Sequence, residues 1–127
     1  MGKNLMEDFV KEEPQELNIE GRKGFKYQPS TAGQENEWLN EYWKIDPVTK
    51  KGYADYSALN KCKINNLIEV PYTSVEIKQL INVDKEWKEL NQDEKWEVLK
   101  KLKPKLFNQI IEEIERIDNP DLNSIKN

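Results

Sequence analysis

Carboxylates are the first residues in this chain that could do chemistry: Glu35, Glu37, Glu41, Asp46, Asp55, Glu112, Glu113 and Glu115. A catalytic pair needs two such groups opposed across a cleft, with pKa values driven apart. These positions fall instead on the polar faces of amphipathic helices or at helix caps, so solvated faces are expected. Ser57, Thr73 and Ser74 offer hydroxyls, but the chain contains no His. That excludes a His-activated nucleophile and removes the commonest imidazole metal ligand. Cys62 is the single cysteine. It stands at helical spacing from Leu59 and reads as a small buried apolar residue rather than a reactive thiol. No intrachain disulfide can form, which points to a reducing compartment. The stretch "GRKG" (Gly21 to Gly24) lacks the spacing of a phosphate-cradling loop and suits a hairpin connection better. No catalytic residue, cofactor site or metal site is expected.

Two groups remain. Lys95, Lys100, Lys101, Lys103 and Lys105 cluster around Pro104. They read either as a phosphate-binding face or as charge placed near a helix C-terminus, where it favours the dipole. The other group is aromatic: Trp38, Tyr42, Trp43, Trp87 and Trp96. Four Trp are many to hide in a small domain, since each needs a large apolar pocket and a partner for its N–H. Core and exposed interface both stay open. Aromatic residues are over-represented at binding centres, so these five are the candidate partner-binding residues.

The elements that must position them are legible in part. In "ELNIEGRKGFKYQP", Leu17 and Ile19 alternate with polar residues, as do Phe25 and Tyr27, which predicts an N-terminal β-hairpin. Pro29 ends it. Thr31 and Gln34 have the spacing of a capping box, opening a helix that carries Trp38 with Tyr42 and Leu39 with Trp43 as i,i+4 pairs. Asp46-Pro47 is expected to end that helix, with "DPVTKKGYAD" as a loop turning at Gly52. Asp55 can cap a helix carrying Leu59 and Cys62. Leu67 to Val70 reads as a short strand or an extended connector. Thr73 and Glu76 form a second capping box, ahead of Ile77, Leu80 and Ile81. A short helix is expected over Asp84 to Leu90, then one capped by Asn91 carrying Trp96, Leu99 and Leu102. The clearest element is a long amphipathic helix from Pro104 to Ile117, burying Phe107, Ile110, Ile111 and Ile114.

The fold class is therefore mainly α: a small helical domain over residues 16–118, with an N-terminal hairpin and a long C-terminal helix. Residues 1–15 are expected to be a flexible tail, or to hold a short helix around Leu5 to Val10. Residues 119–127 are expected to fray. A length of 127 residues suits one such domain. Charged residues make up 35% against 36% hydrophobic, a wet balance that implies thin elements or an obligate partner. The net charge of −4 argues against non-specific nucleic-acid binding, which depends on neutralising phosphates. No long apolar run suggests a signal peptide or a membrane span, so a cytoplasmic protein without a membrane partner is expected.

A short β segment followed by "KYQPSTAGQENEWLNEYW" (Lys26 to Trp43), then helices ending in "LKPKLFNQIIEEIERI" (Leu102 to Ile117), resembles the small tail assembly chaperones of tailed bacteriophages. In that family an extended basic segment often leads into a Pro–Ser/Thr–x–Ala–Gly-like turn that opens the first helix. The resemblance implies a non-enzymatic protein that binds the long helical tape-measure protein during assembly, keeps it soluble and is absent from the finished virion. It assigns no contact to any residue. Two other classes compete with it. One is a structural virion component such as a head–tail connector. The other is a small nucleic-acid-associated regulator using Lys95 to Lys105. Against the latter, the second helix of any helix-turn-helix drawn there is acidic and Ile-rich, where a recognition helix needs polar and basic groups.

Overall fold

Leu17, Ile19, Phe25 and Tyr27, the apolar half of the first alternating pattern, are all buried in a computed structural model that describes Phe9 and residues 13–119. The elements run β1 (Gln15–Glu16), β2 (Lys26–Tyr27), α1 (Ala32–Tyr42), β3 (Trp43–Ile45), β4 (Gly52–Ala54), α2 (Tyr56–Lys63), a 3₁₀ turn (Ile64–Asn66), β5 (Leu67–Glu69), α3 (Ser74–Ile81), a second 3₁₀ turn (Trp87–Glu89), α4 (Gln92–Lys100) and α5 (Pro104–Asp118). The expected N-terminal hairpin is β1 with β2, antiparallel, Gln15 facing Tyr27. Ile19 bridges Arg22 at its far end. Gly24 returns the chain at φ 97°, and a Cβ there would lie 3.1 Å from the Pro71 Cβ, so both backbone and packing call for glycine.

β2 also pairs with β5, giving one antiparallel sheet in the order β1-β2-β5. Leu67 to Glu69 is thus a strand. One core joins this sheet to the helices through Phe25, Tyr27, Leu67, Ile77, Leu99, Ile110 and Ile114, among others. The capping boxes at Thr31/Gln34, Thr73/Glu76 and Asn91/Glu94 all form, and the Asp55 side chain accepts the Ala58 N–H. Each cap satisfies amides that a helix start would otherwise leave orphaned. The expected short helix over Asp84 to Leu90 is a single 3₁₀ turn, with Trp87 and Leu90 both buried. On α5, Ile110, Ile114 and Ile117 are buried, whereas Phe107 and Ile111 are only half-buried. Residues 1–8, 10–12 and 120–127, where the two tails were expected, lie outside the described residues. Asn119 directly follows α5, and Gln15 begins β1.

The fold departs from expectation between Trp43 and Ala54. α1 stops at Tyr42, not at Asp46, and Trp43 opens a strand. Trp43 therefore caps α1, its amide donating to the Leu39 carbonyl, and its side chain belongs to a strand rather than to a helical i,i+4 pair. The supposed loop is the turn and second arm of an antiparallel hairpin, with Trp43 opposite Ala54, Lys44 opposite Tyr53 and Ile45 opposite Gly52. Trp43-Lys44-Ile45 has strand character, and Pro47 biases Asp46 to extended backbone. Asp46 then builds the turn. Its Oδ1 accepts the Val48 and Thr49 amides at 2.8 and 3.0 Å, and Lys50 closes the turn in the left-handed region at φ 62°.

Helix outweighs strand among the described residues, with more strand than the single expected hairpin. Five α-helices carry most of the ordered backbone, beside a three-stranded sheet and the separate β3–β4 hairpin. No helix among the described residues is long and apolar enough to cross a membrane.

Candidate protein-interaction surface

The residues with chemical potential are dispersed. Cys62 is buried at the floor of a cleft of about 470 Å³ bordered by Glu37, Trp38, Glu41, Lys44 and Gln92. Burial first, and the nearby Glu41 charge second, push its thiol pKa up, away from the reactive thiolate. Among the described residues no group of three or more His, Cys, Asp or Glu could hold a metal ion. The lysine cluster also divides. Lys95 lies over the Trp87 ring at 5.6 Å, with its pKa lowered by burial, and Lys100 pairs with Glu97 at 2.6 Å. Glu113, on α5, is held below its usual range. Burial alone would raise it, but the Arg116 guanidinium and the Asn18 amide, at 2.6 Å, outweigh that. That carboxylate ties the β1–β2 loop to α5.

The five candidate aromatics separate into two sets. Trp38 and Trp87 are buried, and the Trp87 indole N–H donates to the Leu67 carbonyl at 2.7 Å. Trp96 is half-buried, edge-on to Phe107 with ring centroids 5.8 Å apart. Tyr42 is half-buried at the end of α1. Only Trp43 presents a large open ring, at 50% exposure. Tyr42 ends α1 and Trp43 opens β3, while Trp87 lies in the second 3₁₀ turn and Trp96 on α4.

Trp43 has neighbours that composition does not reveal. Ile45 is 64% exposed, Tyr53 50% and Val48, at the turn, 88%. Tyr56, at the start of α2, is also exposed. In the β3–β4 register, Trp43, Ile45, Gly52 and Ala54 share one face, and Lys44 and Tyr53 the other. The Trp43 six-membered ring lies so close over Gly52 that a Cβ at position 52 would overlap it. An indole laid on a strand glycine covers backbone that no side chain protects. Both hairpin faces remain open to solvent, and both outer edges are unpaired among the described residues. A lone two-stranded hairpin is marginal in water, so such a feature is usually completed by something else. The signal was available in sequence: two short runs, W-K-I and G-Y-A, flanking a Pro-containing turn.

The turn should make this surface sensitive to acid. The Thr49 and Val48 amides hold the Asp46 carboxyl below its ordinary value of 3.8. A depressed folded pKa means the contribution is present above the unfolded value and lost as pH falls through the folded one. Trp43 emission should therefore be constant near neutrality and move toward that of free indole in acid below about pH 4. Asp46→Ala should reproduce the shift at neutral pH. Emission from Asp46→Ala that matched wild type would show that the turn does not depend on the carboxylate.

Comparison with protein-family models, with curated proteins and with solved structures finds no match in any of the three.

Proposed function

We propose that this chain is a non-enzymatic assembly chaperone or adaptor, which binds an amphipathic helical protein partner through the β3–β4 hairpin. The observation that carries the reading is the hairpin itself, with Trp43 and Ile45 held open on one face of a short ribbon outside the core and Tyr53 on the other. Large apolar residues grouped on a monomer surface mark interaction sites more often than scattered ones do. Truncating an anchoring Trp at such a surface typically costs about 2 kcal/mol or more, roughly 30-fold in affinity. The resemblance of Lys26 to Trp43 and Leu102 to Ile117 to small phage tail assembly chaperones supplies the partner class: a tape-measure-like protein, met in the host cytoplasm. The KYQPSTAGQ stretch contributes the N-terminal capping box of α1, which fixes where the helix that leads to Trp43 begins.

The test is co-expression with a tape-measure protein encoded in the same genome. The chain is expected to raise the partner's soluble yield and to co-elute with it, and a Trp43→Ala, Ile45→Ala variant should lose both effects. Both residues are exposed, so the variant should keep the wild-type denaturation midpoint. A wild-type chain that neither co-elutes nor raises the yield overturns the chaperone reading. Recovery of the chain from purified virions would favour a structural virion component instead.

A further inference from the structure

The hairpin carries charge opposite in sign to the chain around it. Residues 43–54 hold Lys44, Lys50 and Lys51 against the single Asp46, while the whole chain is at −4. Asp46 is committed to the turn amides. None of the three lysines forms an ion pair among the described residues, as is also true of Lys23, Lys78, Lys95, Lys101, Lys103 and Lys105; what sets the hairpin apart is a net positive charge beside open apolar side chains. A local excess of unpaired positive charge beside open apolar side chains selects partners by sign.

Resting on the interface reading above, we propose that the β3–β4 hairpin docks an acidic amphipathic helix. Its apolar stripe covers Trp43 and Ile45, and its flanking carboxylates meet Lys50 and Lys51 at the turn. The strand dimensions favour a helix over an added strand. Three residues at about 3.3 Å each span roughly 10 Å, close to one helix diameter. An edge that short offers only one or two outward backbone bonds, too few to hold an added strand by itself. Approach is also directional. Glu37 and Glu41 of α1 border the cleft that Lys44 joins at the hairpin's base, so an acidic helix is repelled there and attracted toward the turn, where Lys50 and Lys51 stand.

Two labelled synthetic helices with the same Leu stripe, one flanked by Glu and one by Lys, are titrated with the full chain by fluorescence anisotropy. The Glu peptide is expected to bind about tenfold or more tighter, with the gap closing as salt rises. A Lys50→Glu, Lys51→Glu variant should reverse the preference, and Trp43→Ala with Ile45→Ala should weaken both peptides. Equal binding of the two peptides, both lost on Trp43→Ala with Ile45→Ala, overturns the acidic-partner inference while leaving the interface intact. Binding of neither peptide overturns the inference, and the co-expression result then decides the interface separately. Displacement of the Glu peptide by an equimolar DNA oligonucleotide would assign the lysines to nucleic acid instead. A dimer in sedimentation that the Trp43 variant dissociates would assign the surface to a second copy of the chain.

Discussion

Replacing Asp118 by alanine should destabilise the protein by about 3–5 kcal/mol, the usual cost of breaking one side of a buried charge pair. Asp118 is the last residue of α5, yet its side chain is fully buried. Its Oδ2 accepts the Tyr27 hydroxyl at 2.8 Å, and its Oδ1 accepts the Ser30 amide at 2.9 Å. The Lys63 ammonium, only 6% exposed in its side chain, lies 3.6 Å away and also bonds Glu115 at 2.8 Å. Burial first, and the Asp118 charge second, push the Tyr27 phenol pKa far up, so Tyr27 remains a donor at any ordinary pH. Alanine at 118 strands three partners at once: a hydroxyl, an amide and a lysine left with one half-exposed carboxylate. Asp118→Asn keeps an acceptor but not the charge, and should fall between wild type and alanine. Urea denaturation checks both. A midpoint for Asp118→Ala matching wild type would mean that the end of α5 frays without cost to the domain.

That anchor shows where sequence reasoning stops. Asp118-Asn119-Pro120 is legible as a helix stop, and α5 does end there. Nothing local says that the stop is also a tie to β2 and α2, because the Tyr27–Asp118 bond spans 91 positions. Long-range partners of charged residues leave no periodic trace. Caps do, being local: Thr31, Asp55, Thr73 and Asn91 each bond an amide three residues on, and each was readable from spacing alone.

The interaction surface was legible in composition but not in place. Four Trp in a small domain imply a choice between core and surface, and the structure divides them along lines that spacing cannot draw. Trp38 is buried although it sits on the exposed, acidic α1, while Trp43, five residues later, is open. The helical pattern is continuous through Trp43, and it misleads because Pro47 and the Asp46 turn draw Trp43 to Ile45 into a ribbon. A propensity for strand that covers three residues loses to a capped helix in any window average. It wins in the fold because the opposing arm, Gly52 to Ala54, is close enough to pair.

Ile110→Ala should cost about 2–5 kcal/mol, the range for removing a buried branched side chain and leaving a cavity that relaxes only partly. Ile110 and Ile114 have no exposed surface and stand one turn apart on α5, facing the core that also holds Phe25, Tyr27 and Leu99. Ile111→Ala, at the adjacent half-buried position, removes the same atoms from a site with solvent on one side, so its cost should be smaller. A midpoint for Ile110→Ala no lower than that for Ile111→Ala would reverse the assigned orientation of α5. The pair also tests whether core and hairpin are separate. Trp43, Ile45 and Tyr53 lie outside the core cluster, so folded Ile110→Ala should keep wild-type affinity for an apolar-striped helical peptide while its midpoint falls. Trp43→Ala should do the reverse, losing affinity at an unchanged midpoint. Loss of affinity in Ile110→Ala at temperatures where it is fully folded would show that the hairpin draws its shape from α5, and the surface would then be a dependent part of the core.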